Sequence, residues 1–447
     1  MIHFRQLHVL PLWASAGWAA AISPRWDTRA ANLDTCLSDV VGGRTRYLPV
    51  VILYPQTKAE ISAIVQCASL YSHKIQARSG GRDFINKCKS RRIGGDDNAI
   101  VVDMNYFNKV EVDNTTGITT VGPGQTLKAL ITGLTNNGNR YILHGSSPTV
   151  DVGGHLMVGG MGLTSRQNGM SIDVLQEIEV VLPNGTVAQA SEDENSDLFW
   201  AMRGAGASFG LATEFKFQTK PVPEEIVSFS YNFTSSNLTV LGEALKAYHK
   251  IMRHPQLSRK VGITSRFIGA SYIMTGAFTG SEADFEALEL ADRLPTMCQP
   301  FMNSLFDNAG RSNDAGYFYT NDNVVTPETI PSNASIDSFI RPLLDTPGDG
   351  TAFPHRNSFY FLTAYTRTTK KTPAAAIKLV DDSVLALQNN KPDNYLAYAG
   401  VSSLSHCDEA QQKYWCSNLA RLETIKASLD LNDVFSTPQG VKPSGSS

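Results

Sequence analysis

The chain has 447 residues, of which 42% are apolar and 18% charged, with a formal net charge of −3. That balance is enough for a large hydrophobic core and lacks the basic excess of a nucleic-acid-binding surface, so no nucleic acid is expected as a partner. No apolar run reaches the roughly 20 residues that cross a bilayer, so no integral membrane span is expected either, and the length suits two domains better than one.

At the N-terminus Arg5 precedes an apolar stretch over residues 8–21 that ends in small residues. It reads as a secretory signal over residues 1–21, although Pro11 and the weak basic region leave a buried N-terminal helix as the alternative. Asn114, Asn184, Asn232, Asn237 and Asn333 each open an N-x-S/T triplet, which makes them candidate N-glycan sites of a chain in the secretory pathway. The six cysteines form no C-x-x-C pair, so no metal site is expected. Cys67 falls on the apolar side of a predicted helix and reads as a core thiol. If the chain is secreted, Cys36 with Cys88 and Cys407 with Cys416 are the expected disulfides.

Residues 24–45 look irregular. Residues 47–55 then form an apolar run ended by proline, the mark of a short strand. Thr57 with Glu60 three residues on has capping-box spacing, and Ile61, Ile64, Val65 and Ala68 continue at helical period. Strands are predicted over 74–78 and 99–103, a hairpin over 109–112 and 118–121, and a helix from Thr126 to Leu134 stopped by Asn136-Asn137-Gly138. Residues 178–182 and 186–188 flank Pro183-Asn184-Gly185, a strong turn signal. Beyond Pro221-Val222-Pro223 strands (226–233, 358–364) alternate with helices (238–252, 283–293, 374–387), which suits a second, substrate-binding domain over 221–385. Residues 320–357 are polar and Pro-rich and read as a loop, either over the pocket or on the surface. A helical pattern over 409–429 and the run Asp433-Val434-Phe435 close the chain.

Three glycine-rich stretches follow or adjoin strands. Arg78-Ser79-Gly80-Gly81 offers successive backbone N–H groups that can form an anion nest. Ser147-Pro148-Thr149-Val150-Asp151-Val152-Gly153-Gly154-His155 continues to Gly159, Gly160 and Gly162. Arg203-Gly204-Ala205-Gly206 follows Asp197-Leu198-Phe199-Trp200. A flexible linker would not place Val, Leu and Met between its glycines. Neither a P-loop nor a Rossmann fingerprint is present. Together the stretches point to a long ligand with a pyrophosphate and ring systems.

In these motifs, and in the C-terminal Tyr395-x-x-Tyr398, Tyr414, Asn418, Arg421-Leu422, Ile425-Lys426 and Asn432-x-x-Phe435, the chain resembles the berberine bridge enzyme-like FAD-linked oxidoreductases. The resemblance runs from about Leu48 to Gln439. It implies an α+β fold: a two-part PCMH-type FAD-binding domain over 46–220, a substrate domain with an antiparallel sheet and flanking helices over 221–385, and a C-terminal segment over 386–447 that packs back on the FAD domain. It implies FAD as cofactor, a small-molecule substrate that gives hydride to the flavin, and molecular oxygen as acceptor, since Val150 stands where a small residue admits oxygen. It assigns cofactor contacts to Arg78, Ser79, Gly80, Gly81, Arg82, Ser147, Thr149, Val150, Gly153, Gly154, His155, Gly160, Gly162, Gly210, Leu211 and Asn432, with His155 supporting the flavin loop rather than acting as a ligand. It makes Tyr398, with its neighbour Tyr395, the candidate base.

Three positions depart from the family pattern. Its two attachment residues, a histidine in R-S-G-G-H and a cysteine before P-T-V, are here Arg82 and Ser147. Neither can form the usual bond, so FAD is expected to be held non-covalently, with Arg82 supplying a cation beside flavin or phosphate. Asp151 replaces a glycine; it is a candidate catalytic base or a partner of Arg82, or it turns to solvent. The missing attachment residues also leave open a redox-inactive relative that uses the pocket as a cyclase or isomerase.

Overall fold

The computed structural model describes residues 49–82, 99–234, 247–248, 250–252, 257–268, 271–289, 298–299, 317–325, 350–355, 360–368, 378, 397–399, 410–437 and 439–445. The leader, Tyr395, Asn237, Asn333 and the Cys36–Cys88 pairing lie outside them.

Three sheets organise the molecule around the glycine-rich loops. The first is parallel, with β3 (Ala99–Asp103) between β1 (Val51–Leu53) and β2 (Lys74–Arg78). Helix α1 (Lys58–Leu70) crosses between β1 and β2, and the expected capping box forms between Thr57 and Glu60. It buries Ile61, Val65 and Ala68, one helical face, in a core shared with Ile75, Val102, Leu211 and Phe435. Cys67 points off that face and is exposed, so it is not the core thiol that the periodicity suggested.

The second sheet is five-stranded, in the order β4 (Val110–Val112), β5 (Ile118–Val121), β9 (Leu211–Gln218), β7 (Leu175–Val181), β8 (Val187–Ser191), with antiparallel neighbours throughout. The predicted hairpin forms as β4 and β5, and the Pro183-Asn184-Gly185 turn joins β7 to β8. The core of this part includes Leu130 and Leu134 of α2 (Leu127–Asn136), Leu156 and Met157 of α3 (Val152–Met157), and the apolar side of α5 (Ser196–Ala205). Between α3 and α5 lies the single-turn α4 (Ser165–Asn168), and a short β6 (Arg140–Tyr141) pairs with β10 (Lys220–Pro221).

The third sheet is antiparallel, in the order β12 (Val261–Ile268), β13 (Ser271–Thr279), β11 (Ile226–Thr234), β14 (Cys298–Gln299). One face carries Phe229, Tyr231, Tyr272, Met274 and Phe278 into a core with Tyr248, Ile251 and Phe285, the last from α6 (Glu282–Glu286). The opposite face alternates out as Ser230 and Thr264, both exposed. Part of the stretch read as a loop is a strand: β15 (Tyr317–Val325) pairs antiparallel with β16 (Tyr360–Thr368) along its whole length. Thr351, Ala352, Phe353 and His355 from the same stretch are buried.

The C-terminal helical pattern is broken in two, α7 (Ala410–Trp415) and α8 (Leu419–Leu429), by a tight turn over Cys416–Asn418 in which Cys416 has φ of +45°. Cys416 is a free thiol whose Sγ lies 3.8 Å from the Lys413 carbonyl, and burial pushes its pKa up to about 11; the expected bond to Cys407 is not formed. Beyond α8, Val434 returns to the parallel sheet, its carbonyl accepting from the Ile75 N–H at 2.8 Å.

Candidate cofactor and active site

The site forms at the C-terminal ends of the parallel strands, where open α/β sheets bind ligands. Register sets it up: Arg78 is paired with Asp103 across β2 and β3, so the guanidinium reaches the carboxylate, and the two form an ion pair with Asp103 only 2% exposed. The chain then turns through Ser79-Gly80-Gly81-Arg82, with Gly81 at φ +62°, a left-handed conformation that favours glycine. Against this turn lies the first turn of α3. A Cβ on Gly153 would stand 2.6 Å from Ser79 Oγ and 3.0 Å from the Pro123 carbonyl, so only glycine permits the approach. A Cβ on Gly154 would meet nothing within 4 Å, which leaves open space over that backbone.

Backbone bonds hold the loop before α3 on the N-terminus of α2. Leu127 N–H donates to the Val150 carbonyl at 2.8 Å, Lys128 N–H to Pro148 at 3.1 Å, and Val152 N–H to Gln125 at 2.8 Å. Orphan donors of one helix thereby fix the Ser147–Asp151 loop. Ser147 closes it by accepting from Val150 N–H at 3.3 Å. Thr149 is exposed and Val150 partly buried.

Asp151 stands at the head of α3 but its side chain makes no capping bond. Its carboxylate lies instead on the Gly80 backbone, with Oδ1 2.6 Å from where a Cβ would be. Burial, then the negative charge of Asp103, push its pKa up to about 7 against the opposing pull of Arg82 and Arg78. Arg78 Nε is buried without a hydrogen-bond partner, so the cradle retains a polar atom for a ligand to satisfy.

His155 holds the next turn together. Its Nε2 accepts from the Gly145 N–H at 3.0 Å, and burial with the neighbouring His144 pushes its pKa down to about 4. It is therefore neutral, with the proton on Nδ1, and serves as a brace rather than a ligand. His144 Nδ1 donates to the Gly145 carbonyl at 2.8 Å, and burial lowers its pKa too. Gly160 has φ of +77°, and a Cβ there would fall 2.4 Å from Ser171 Cβ. At Gly162 a Cβ would stand 1.8 Å from the His144 carbonyl oxygen.

Tyr398 is 5% exposed, its hydroxyl accepts from the Gly160 N–H at 3.3 Å, and its ring meets Phe353 edge-on at 5.8 Å. Burial pushes its pKa up to about 12, the direction opposite to what a base needs. His355, neutral because burial pushes its pKa down to about 4, donates from Nε2 to the Ala397 carbonyl at 2.8 Å and steadies this corner. Of the remaining assigned contacts, Gly210 packs on Val180, Leu211 is buried beneath the parallel sheet, and Asn432 is exposed with its carbonyl accepting from Lys74 Nζ at 2.9 Å. The structure thus brings the Arg78–Arg82 turn against the loop before α3 through Gly80 on Asp151 and Ser79 on Gly153. Sequence reasoning did not find Asp103, Pro123 or His355. Only Asp103 left a signal, as a charge closing an apolar strand.

Comparison with known proteins identifies the family. A family profile described as FAD binding domain matches residues 49–191, and one described as berberine and berberine like matches 389–442. The FAD-linked oxidoreductase dpmaF of Metarhizium anisopliae is 30% identical over 96% of this chain and 89% of its own length. The chain belongs to the berberine-like FAD-linked oxidoreductases. A second member, FAD-linked oxidoreductase sorD of Penicillium rubens, is 29% identical over 88% of this chain and 90% of its own. Among solved structures, a glucooligosaccharide oxidase from Acremonium strictum with 6-S-cysteinyl, 8α-N1-histidyl FAD superposes with a TM-score of 0.78 at 25% identity, covering 91% of this chain and 94% of that one.

This FAD-linked oxidoreductase therefore has the PCMH-type α+β fold and FAD as cofactor. Its cradle fits the group: a left-handed turn at Gly81, the unsatisfied Arg78 Nε, and open space over Gly154. Among the described residues no cluster suits a metal ion, and no helix is long and apolar enough to cross a membrane.

Proposed function

We propose that this oxidoreductase is an oxidase that takes hydride from a small organic substrate, passes the electrons to molecular oxygen, and holds its FAD without a covalent bond. The observation that carries the reading is the content of the cradle. Arg82 and Ser147 stand at the two tether positions, and a guanidinium or an unactivated hydroxyl cannot replace the imidazole or thiolate that forms such bonds. Charge takes over the anchoring. Arg78 and Arg82 supply cations for the cofactor's phosphates or for negative charge on the reduced ring, and Ser79, Gly80, Gly81, Gly153 and Gly154 let backbone approach closely. FAD supplies the hydride acceptor.

Tyr398 serves in this account as a pin for the Gly159–Gly160 turn, since its hydroxyl is engaged there and its proton is held tightly. Asp151 is the cradle's titratable group near neutrality. The substrate comes to the hydroxyl-bearing face of the third sheet, which Gly262 brings against the FAD-binding part: a Cβ there would fall 1.7 Å from the Leu163 carbonyl. Ser230, Thr264 and Thr275 line this face, with Thr264 and Thr275 hydroxyls 3.1 Å apart, a surface suited to a hydroxylated substrate. The apolar stretch over 8–21 and the exposed sequons at Asn114 and Asn184 support passage through the secretory pathway.

The test is anaerobic mixing of the purified protein with a panel of mono- and oligosaccharides and small alcohols, followed by admission of oxygen. Bleaching of the flavin band by a panel member, then recovery with hydrogen peroxide release, is expected. A protein that binds no FAD would instead favour the cyclase or isomerase.

A further inference from the structure

Four charged groups converge around the turn Ser79–Arg82. Arg78 and Asp103 pair at the strand ends, Arg82 follows the turn, and the Asp151 carboxylate lies on Gly80. The groups that bear on Asp151 come from every element beside it: Asp103 from β3, Arg78 from β2, and Arg82 from the turn. Helix α2, paired to Asp151 through Thr126, has no acidic residue in its first turn and carries Lys128 there. His155, one turn along α3, is neutral and directed at Gly145. With Asp151 ionised, two arginines balance two carboxylates; with Asp151 protonated, the cluster has one positive charge in excess.

A cofactor pyrophosphate brings further negative charge to this cradle. An ionised Asp151, half-buried across Gly80 and unbonded to its own helix, would oppose that charge at close range, where screening by solvent is weak. We propose that FAD binding is coupled to uptake of a proton by Asp151, which makes this carboxyl a proton-linked gate on cofactor affinity. The inference rests on the reading that FAD occupies the Ser79–Arg82 cradle.

The sign follows from linkage. The free carboxyl titrates at about 7, and an added anion raises it further in the complex. Below that value Asp151 carries its proton in both states and affinity does not change with pH. Above it the free protein has lost the proton while the complex retains it. The FAD Kd then rises about tenfold per pH unit until the bound group titrates as well.

The experiment uses the purified protein stripped of flavin, wild type and Asp151→Asn. FAD affinity is read by flavin fluorescence from about pH 6 to about pH 9, and proton uptake by calorimetry in two buffers of different ionisation enthalpy at about pH 8. Asparagine matches aspartate in size and Asp151 makes no capping bond to lose, so the variant is expected to fold, which far-UV circular dichroism checks. The wild type should lose affinity above neutrality and take up close to one proton at about pH 8, and Asp151→Asn should do neither. A flat wild-type profile, or the same slope in the variant, overturns the coupling and leaves the cradle reading intact. No FAD binding at any pH overturns the cofactor reading and this inference together. Should the variant fail to fold, zero proton uptake in the wild type still refutes the coupling.

Discussion

Lys426 carries no exposed surface at all, and replacing it with methionine should unseat the C-terminal segment. Its ammonium donates to Asp430 Oδ2 at 2.6 Å, to the Ser208 carbonyl at 2.7 Å and to the Phe435 carbonyl at 3.1 Å, with Asp433 Oδ1 also 3.1 Å away. Asp430 in turn accepts from the Val434 N–H at 2.8 Å and the Phe435 N–H at 2.9 Å, and Val434 docks on β2. Methionine keeps the buried stem but leaves a carboxylate without its counter-charge and two carbonyls without their donor. Breaking a buried pair from one side costs about 3–5 kcal/mol. At about 2–4 °C per kcal/mol for a unit of this size, the apparent Tm should fall on the order of 10 °C. Differential scanning fluorimetry reads the shift directly. A change under about 2 °C, smaller than the loss of a single kcal/mol, would show that solvent or repacking replaces the ammonium, and the account of this cluster would fail.

Tyr398→Phe keeps the ring on Phe353 and loses one hydroxyl, so the flavin-reduction rate should stay within about tenfold of wild type, whereas removal of a general base costs about a hundredfold or more. Gly160→Ala forces a side chain into a left-handed residue and toward Ser171, so stability should fall by about 1–3 kcal/mol and flavin content should drop with it; unchanged flavin content would place this turn outside the cofactor's support. His355 is buried neutral with a pKa of about 4, below its ordinary value, so the unfolded chain binds a proton that the folded chain refuses between about pH 6.5 and that value. The stability this contributes is present above about pH 6.5 and lost as pH falls through the window, roughly 3 kcal/mol in all; His355→Gln should lessen the Tm dependence there, the remainder coming from His155 and His144, and an unchanged dependence would refute the assignment.

Local signals carried most of the early fold into the sequence. The capping box at Thr57, the Asn136-Asn137-Gly138 stop and the Pro183-Asn184-Gly185 turn each act over a few residues, and each element formed where expected. The losses were non-local. The loop reading over 320–357 began inside β15, whose polar centre Thr320–Asn323 hides the strand, and its partner β16 lies more than thirty residues on, so the pairing left no local mark. Cys416 sits inside an unbroken helical pattern, and only its left-handed backbone divides the helix. Cys67 was placed on the wrong side of α1 because the buried stripe is narrower than the apolar periodicity.

The site followed the same division. The glycines were legible because each leaves a compositional mark, and the resemblance they carried led to FAD. Asp103 was not, since its pairing with Arg78 needs the register of two parallel strands. Nor was the lock on Tyr398, which depends on Gly160 and Phe353 arriving from distant parts of the chain.

In the proposed function, charge and backbone alone hold the flavin. The visible spectrum of the purified protein before and after acid precipitation reads this directly. Arg82 and Ser147 predict a yellow protein that releases its flavin to the supernatant and leaves a colourless pellet. Flavin retained in the washed pellet would contradict the account, because it would require a covalent bond that neither residue can make.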